Sequence, residues 1–144
     1  SINPSADIQA ICQRYDEDTS LQFTFDNYDY VIDAIDTLDN KALLIYQATC
    51  SSATLFSSMG AGRKLDATRI RTTEFWKVSG CPLARALRNK MRKSGHMPQK
   101  KFQCVYSDEI SSESGTIAPI VGVFGMYLSH LLIQDIIRKA NEQE

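Results

Sequence analysis

No G-x-G-x-x-G or G-x-x-x-x-G-K-S/T string occurs in these 144 residues, so the chain lacks the usual backbone cradle for a nucleotide pyrophosphate. Its four cysteines, Cys12, Cys50, Cys81 and Cys104, include no C-x-x-C pair, and neither histidine, His96 or His130, stands at ligand spacing to them. That spacing argues against a zinc site. Two of the thiols lie in apolar, strand-like surroundings, which suits reduced buried cysteines in a cytosolic protein better than a disulfide framework. Glycine and proline are sparse, at 7 and 4, beside 43% hydrophobic and 23% charged residues. A fibrous or disordered chain is excluded on that balance. The longest apolar stretch, residues 116–137, is interrupted by Gly122, Gly125, Ser129, His130, Gln134 and Asp135, which reads as too polar for a membrane span.

Basic residues are nearly missing from the front of the chain. Residues 1–40 hold nine Asp or Glu against Arg14 alone, a net of −8. Residues 63–101 reverse this, with twelve Lys or Arg against Asp66 and Glu74, a net of +10 inside a chain whose overall charge is −1. A local excess of that size is the footprint of a phosphate-bearing partner such as nucleic acid, or else a solvated basic face. The length suits one domain with a conventional core.

Periodicity places the elements. Residues 7–15 alternate, with Ile8, Ala10 and Cys12 on one side, and read as a short strand. The acidic group Asp16, Glu17 and Asp18 ahead of Leu21, Phe23 and Phe25 looks like a helix start. Residues 28–35 read as a buried strand, and Thr37 with Asp39 and Asn40 opens a helix whose apolar side carries Leu43, Leu44 and Ala48. Strands are expected at 53–58, 69–75 and 102–106. Helices are expected from Pro82 to the break at Ser94 and Gly95, and from Ile120 to about Asn141. His96 is expected to be exposed, and His130, in the last helix, to pack. Alternating strands and helices argue for an α/β sheet with parallel elements.

One strand end stands out. Residues 30–36 (Tyr-Val-Ile-Asp-Ala-Ile-Asp) finish in Asp33 and Asp36, and in open α/β sheets the carboxyl ends of strands face the ligand crevice. Four further strings follow in order: Lys41 to Ile45; Ser58-Met-Gly-Ala-Gly62 with Lys64-Leu-Asp66 and Thr68-Arg-Ile70; Pro82-Leu-Ala84 with Leu87-Arg88; and Val105 to Glu109. Together they resemble the second half of the ThiF/MoeB-type, ubiquitin-activating-enzyme-like adenylating superfamily, and within it the branch of tRNA threonylcarbamoyladenosine dehydratases. Ile2, Asn3 and Pro4 resemble the family's Asn-Pro element ahead of a sheet strand.

The resemblance implies the carboxy-terminal half of a Rossmann-like adenylation domain, a mixed sheet flanked by helices, in one partial domain over 1–144. Such a domain lacks the Gly-rich ATP loop and is expected to be inactive by itself. ATP and Mg²⁺ would activate the carboxylate of threonylcarbamoyladenosine in tRNA, and the substrate's own hydroxyl would displace AMP to close a ring, a net dehydration. Asp36 is implied as the catalytic Mg-nucleotide contact, with Asp33 more structural. Lys41 is implied as a cofactor-binding cation, and Gly60, Ala61, Gly62, Arg63 and Lys64 as the substrate border.

The basic helix bearing Arg85, Arg88, Arg92 and Lys93 fits tRNA backbone binding. Phe75, Trp76 and Tyr106 could stack on bases, but a core role is favoured for all three. Cys50 and Cys104 are expected to be buried and inert. A homodimer and a sulfur-transfer partner are further implications, as is a cytoplasmic location. Two alternatives stay open: activation of the carboxyl terminus of a small sulfur-carrier protein, for which paired C-x-x-C motifs would be expected, and a non-catalytic tRNA- or partner-binding α/β module.

Overall fold

A computed structural model describes residues 3–112 and 114–142. Four strands, β1 (Tyr30–Asp33), β2 (Thr54–Ser58), β3 (Ile70–Glu74) and β4 (Gln103–Ser107), form one sheet in the order β1-β2-β4-β3. Strands β1, β2 and β4 are parallel, and β3 lies antiparallel on β4. Three helices flank the sheet: α1 (Leu38–Cys50), α2 (Pro82–Ser94) and α3 (Ala118–Asn141). The expected mixed α/β sheet is what the chain forms.

Strand alternation divides the core between two faces. Leu55 of β2 and Cys104 and Tyr106 of β4 point to one face, where Ile45 and Ala48 of α1 meet Ala84, Leu87 and Met91 of α2. Phe56, Ile70 and Val105 point to the other, where Ile120, Phe124 and Leu128 of α3 cover them. Pro82 opens α2 where its missing N–H costs nothing, and Gly95 closes it with φ 75°.

Several expectations fail, each for a physical reason. Residues 7–15 form no strand: they are exposed without regular structure until Tyr15, because no described neighbour supplies the second half of a hydrogen-bond ladder. Asn3 and Pro4 are exposed and lead into no strand, and Ile2 lies outside the described residues. The acidic group starts no α-helix; two 3-10 turns, Ser20–Gln22 and Phe25–Asn27, follow it instead. Strand β1 is not buried throughout, since it is the edge strand and Ile32 is 43% exposed.

Cys50 is exposed at the last turn of α1, whereas Cys104 is buried as expected. His96 is exposed and stacks on Tyr46, with ring centroids 4.8 Å apart; His130 is exposed rather than packed. Helix α3 is long and apolar enough to cross a membrane by length and composition alone, despite its polar interruptions. It packs along one side against the sheet and turns Val121, Met126, Ile133, Ile136 and Ile137 to solvent.

Candidate active site

Because β1, β2 and β4 are parallel, their carboxyl ends share one edge. Asp36 follows β1 there, residues 59–64 follow β2, and Asp108 and Glu109 follow β4. The sheet order makes the chain cross over the end of β4 to reach β3, so the 59–69 connection roofs this edge. Asp36 is exposed in the β1–α1 loop. It is the carboxylate of the pair that a ligand can reach.

Asp33 is the reverse. It is fully buried, its Oδ2 receiving Lys41 Nζ at 2.6 Å and Ser57 Oγ at 2.6 Å, and its Oδ1 receiving the Ile35 amide at 3.0 Å. The β1–β2 register sets Asp33 opposite Ser57 and so creates the second of these bonds. Lys41 completes the knot by donating to the Ile35 carbonyl at 3.0 Å. Such a pair is retained only with every polar atom satisfied. Lys41, expected to meet the nucleotide, is therefore corrected: its ammonium is fully buried and fixes the loop that presents Asp36.

The 59–66 connection is stitched to the segment after β4. The Met59 amide donates to the Val105 carbonyl at 2.8 Å, and Lys64 Nζ donates to the Glu109 carbonyl. The Glu109 carboxylate receives the Leu65 amide at 2.9 Å and the Asp66 amide at 3.0 Å. Lys64 is thus corrected from a substrate-facing cation to a buried anchor of the loop. Arg63 stays exposed, in the left-handed region at φ 60°, with its amide held by the Gly115 carbonyl at 2.9 Å. Neither Gly60 nor Gly62 takes the left-handed conformation in this loop; Arg63 does.

A cavity of about 420 Å³ opens beside this loop, bordered by Gly60, Gly62, Arg63, Pro82, Leu83 and Glu109. A Cβ on Gly60 would come 3.6 Å from Leu83, and one on Gly62 3.7 Å from Thr116, ordinary contact distances that leave room for a methyl group at either position. Ala61 packs toward the α3 face. The larger cleft, about 670 Å³, lies at the other edge between Asp26, Tyr30, Thr54 and Lys139. Two of its polar side chains are already engaged, Tyr30 with Asp135 at 3.0 Å and Lys139 with Thr54 at 3.1 Å, and it lies at the amino ends of the parallel strands, so the carboxyl-edge cavity is the better candidate.

Among the described residues no group of three or more His, Cys, Asp or Glu could hold a metal. Mg²⁺ is commonly held by one or two carboxylates, its own waters and substrate phosphates, so exposed Asp36 fits a metal that arrives with a nucleotide and does not fit a protein-only cage.

On helix α2 the four cations divide. Arg85, Arg92 and Lys93 are exposed. Arg88 is corrected: it donates to the carbonyls of Phe75 and, at 2.8 Å, Val78, tying α2 to the turn Phe75–Lys77. Phe75 and Tyr106 are core residues as expected, but Trp76 is 36% exposed. Burial pushes the Cys104 thiol up, which removes it from sulfur chemistry near neutral pH. Sequence reasoning missed Glu109 and Ser57; Glu109 ended a motif but had no sequence signal for the amides it receives.

Known proteins resemble this chain in sequence and in fold. The chain is 39% identical over 108 residues to the tRNA threonylcarbamoyladenosine dehydratase of Bacillus subtilis, covering 75% of this chain and 42% of that protein. It is 33% identical over 113 residues to the Escherichia coli enzyme, again covering 42% of the relative. The chain thus spans about two fifths of the length of these curated relatives. The crystal structure of the E. coli tRNA N6-threonylcarbamoyladenosine dehydratase with ATP superimposes with a TM-score of 0.88 at 28% identity, over 99% of this chain and 62% of that one. Its AMP complex gives a TM-score of 0.83 over 97% of this chain. Since residues 1–144 all match the ThiF family, the chain belongs to that family.

Proposed function

We propose that this chain is part of an ATP-dependent tRNA threonylcarbamoyladenosine dehydratase, which adenylates the nucleoside's carboxylate and closes it into a ring with net loss of water. The observation that carries this reading is the superposition of nearly the whole chain on an ATP-bound dehydratase at 28% identity. When bound, ATP with Mg²⁺ would convert the carboxylate into an acyl adenylate that an internal nucleophile of the same side chain can displace.

The chain's own residues divide the remaining tasks. Asp36 offers an exposed carboxylate oxygen to the metal, at a position fixed by the Asp33–Lys41 knot behind it. Gly60, Ala61, Gly62 and Arg63 border the substrate, with Arg63 as the exposed cation of this loop set against developing phosphate charge. Holding these groups in advance lowers the reorganisation needed during reaction. Arg85, Arg92 and Lys93 contact the tRNA backbone without reading its sequence. Pairing of two copies is supported by the outward apolar residues of α3, and action on tRNA implies the cytoplasm.

The test is genetic and chemical. The gene encoding this chain, expressed in a bacterium deleted for its own dehydratase, should restore the cyclic nucleoside, read by mass spectrometry of digested tRNA. Restoration should vanish with Asp36→Ala while tRNA binding stays within about twofold. A gene that restores nothing overturns the reading, and an active Asp36→Ala protein removes Asp36 from the site.

A further inference from the structure

Trp76 is the only tryptophan in the chain, and about a third of it is exposed to solvent. It sits in the turn after β3, at the sheet edge opposite Asp36, because β3 runs antiparallel and its last residue, Glu74, pairs with Gln103 at the start of β4. Three contacts hold the turn rigid. Its backbone amide is received by the Glu74 carboxylate at 3.2 Å. Phe75 beneath it is fully buried and stacks on Phe102 with centroids 4.9 Å apart. Arg88 clamps the carbonyls on both sides.

The indole is therefore an exposed aromatic surface on a fixed base. It meets Phe75 edge-on at 5.1 Å, and the guanidiniums of Arg88 and Arg92, one helical turn apart, each lie over its ring at 5.9 Å from the centroid, so a stacking partner takes the part of the ring they leave open. Arg92 and Lys77 are exposed beside it, and Glu74 is the only acid between residues 67 and 101. A cleft of about 360 Å³ adjoins the turn, with Lys77 and Lys101 on its wall beside Glu74 and Asp135.

We propose that Trp76 is a stacking platform for an unpaired nucleobase of an RNA, with Arg92 and Lys77 receiving the flanking phosphates. An acidic peptide would use the cations and leave the indole idle; an unpaired base uses both, since every base has a π-face and a phosphate on either side. Rigidity favours the same ligand, because a preformed aromatic surface loses little entropy on binding. The platform lies away from the catalytic edge, so it grips a part of the RNA other than the reacting nucleoside. This rests on the tRNA-acting function proposed above for the identity of the RNA.

The single tryptophan makes the test direct. Titrating the chain with transcribed tRNA, and with an RNA hairpin carrying an unpaired loop, should quench its emission; a blunt RNA duplex of equal charge and polyglutamate should leave it nearly unchanged. Trp76→Ala should weaken tRNA binding by roughly 5- to 100-fold, the range of one lost base stack, and Trp76→Phe should recover part of it. The slope of log affinity against log salt should be unaltered in Trp76→Ala and fall by about one in Arg92→Gln, separating stacking from charge. Circular dichroism of each variant checks the fold.

Binding of tRNA with unaltered emission, or equal affinity in Trp76→Ala, overturns the platform and leaves the dehydratase reading standing. A chain that quenches equally with polyglutamate, or binds no RNA at all, overturns the platform too. Restoration of the cyclic nucleoside in cells judges the dehydratase reading separately.

Discussion

At the residue scale, the carboxylates three positions apart have opposite lives. Asp33 and Lys41 neutralise each other in the core, and removing either partner leaves a buried unpaired charge. Lys41→Met or Asp33→Asn alone should destabilise by about 3–5 kcal/mol in urea denaturation, whereas the double variant should recover most of that loss. Additive single effects would show that the pair is not coupled.

The sequence displayed both acids and their strand-end position, but not which of them faces solvent. That depended on Ser57, 24 residues away, arriving opposite Asp33 through β-register, and on Lys41 folding back one turn into its helix. Trp76 was illegible for a similar reason: aromatic character argues for burial, and it is Phe75, stacked on Phe102, that fills the core beneath the turn while Trp76 stays partly exposed.

At the element scale, helix α2 was legible nearly to the residue, because Pro82, Gly95 and a 3.6-residue apolar period coincide there, whereas only the start of α1, at Thr37, was legible, and Thr37 makes no side-chain capping bond. Two expectations follow for α2. Leu87→Ala removes a fully buried side chain between α1 and the sheet and should cost about 2–5 kcal/mol by chemical denaturation. Gly95→Ala meets no steric neighbour within 4 Å, so its cost, about 1 kcal/mol, comes from the left-handed backbone alone, and Gly95→Asn should cost less.

Residues 7–15 were misread because alternation is only half of a strand, the other half being a partner. Helix α3 is fastened to β1 at its last turns by Asp135, which receives Tyr30, Arg138 and Lys139. Burial alone would raise that carboxyl, but the hydrogen bonds from Lys139, Arg138 and Tyr30 outweigh it and hold it at about 2. A folded-state value below the ordinary carboxylate range, about 3.9, gives stability that is full above that range and is lost as pH falls toward 2. Asp135→Asn should flatten the melting temperature against pH between about 4 and 2; an unchanged slope there would remove this fastening.

At the scale of the whole molecule, charge and apolar surface are both unevenly shared. The acidic front and the basic middle are segregated along the chain yet meet in the fold, where Lys90 of α2 pairs with Asp39 at 2.7 Å, and the cations concentrate on residues 63–101, which include the exposed side of α2 and the turn bearing Trp76. Helix α3 keeps only a strip of its apolar residues against the sheet and presents the rest to water. That surface is already hydrated in the folded state, so unfolding uncovers less new apolar area than length alone suggests. The heat capacity of unfolding should fall below the ordinary value of about 2 kcal/mol/K for 144 residues. Scanning calorimetry at several pH values measures it. A low value flattens the curve of stability against temperature, so the molecule would lose little of its stability on cooling.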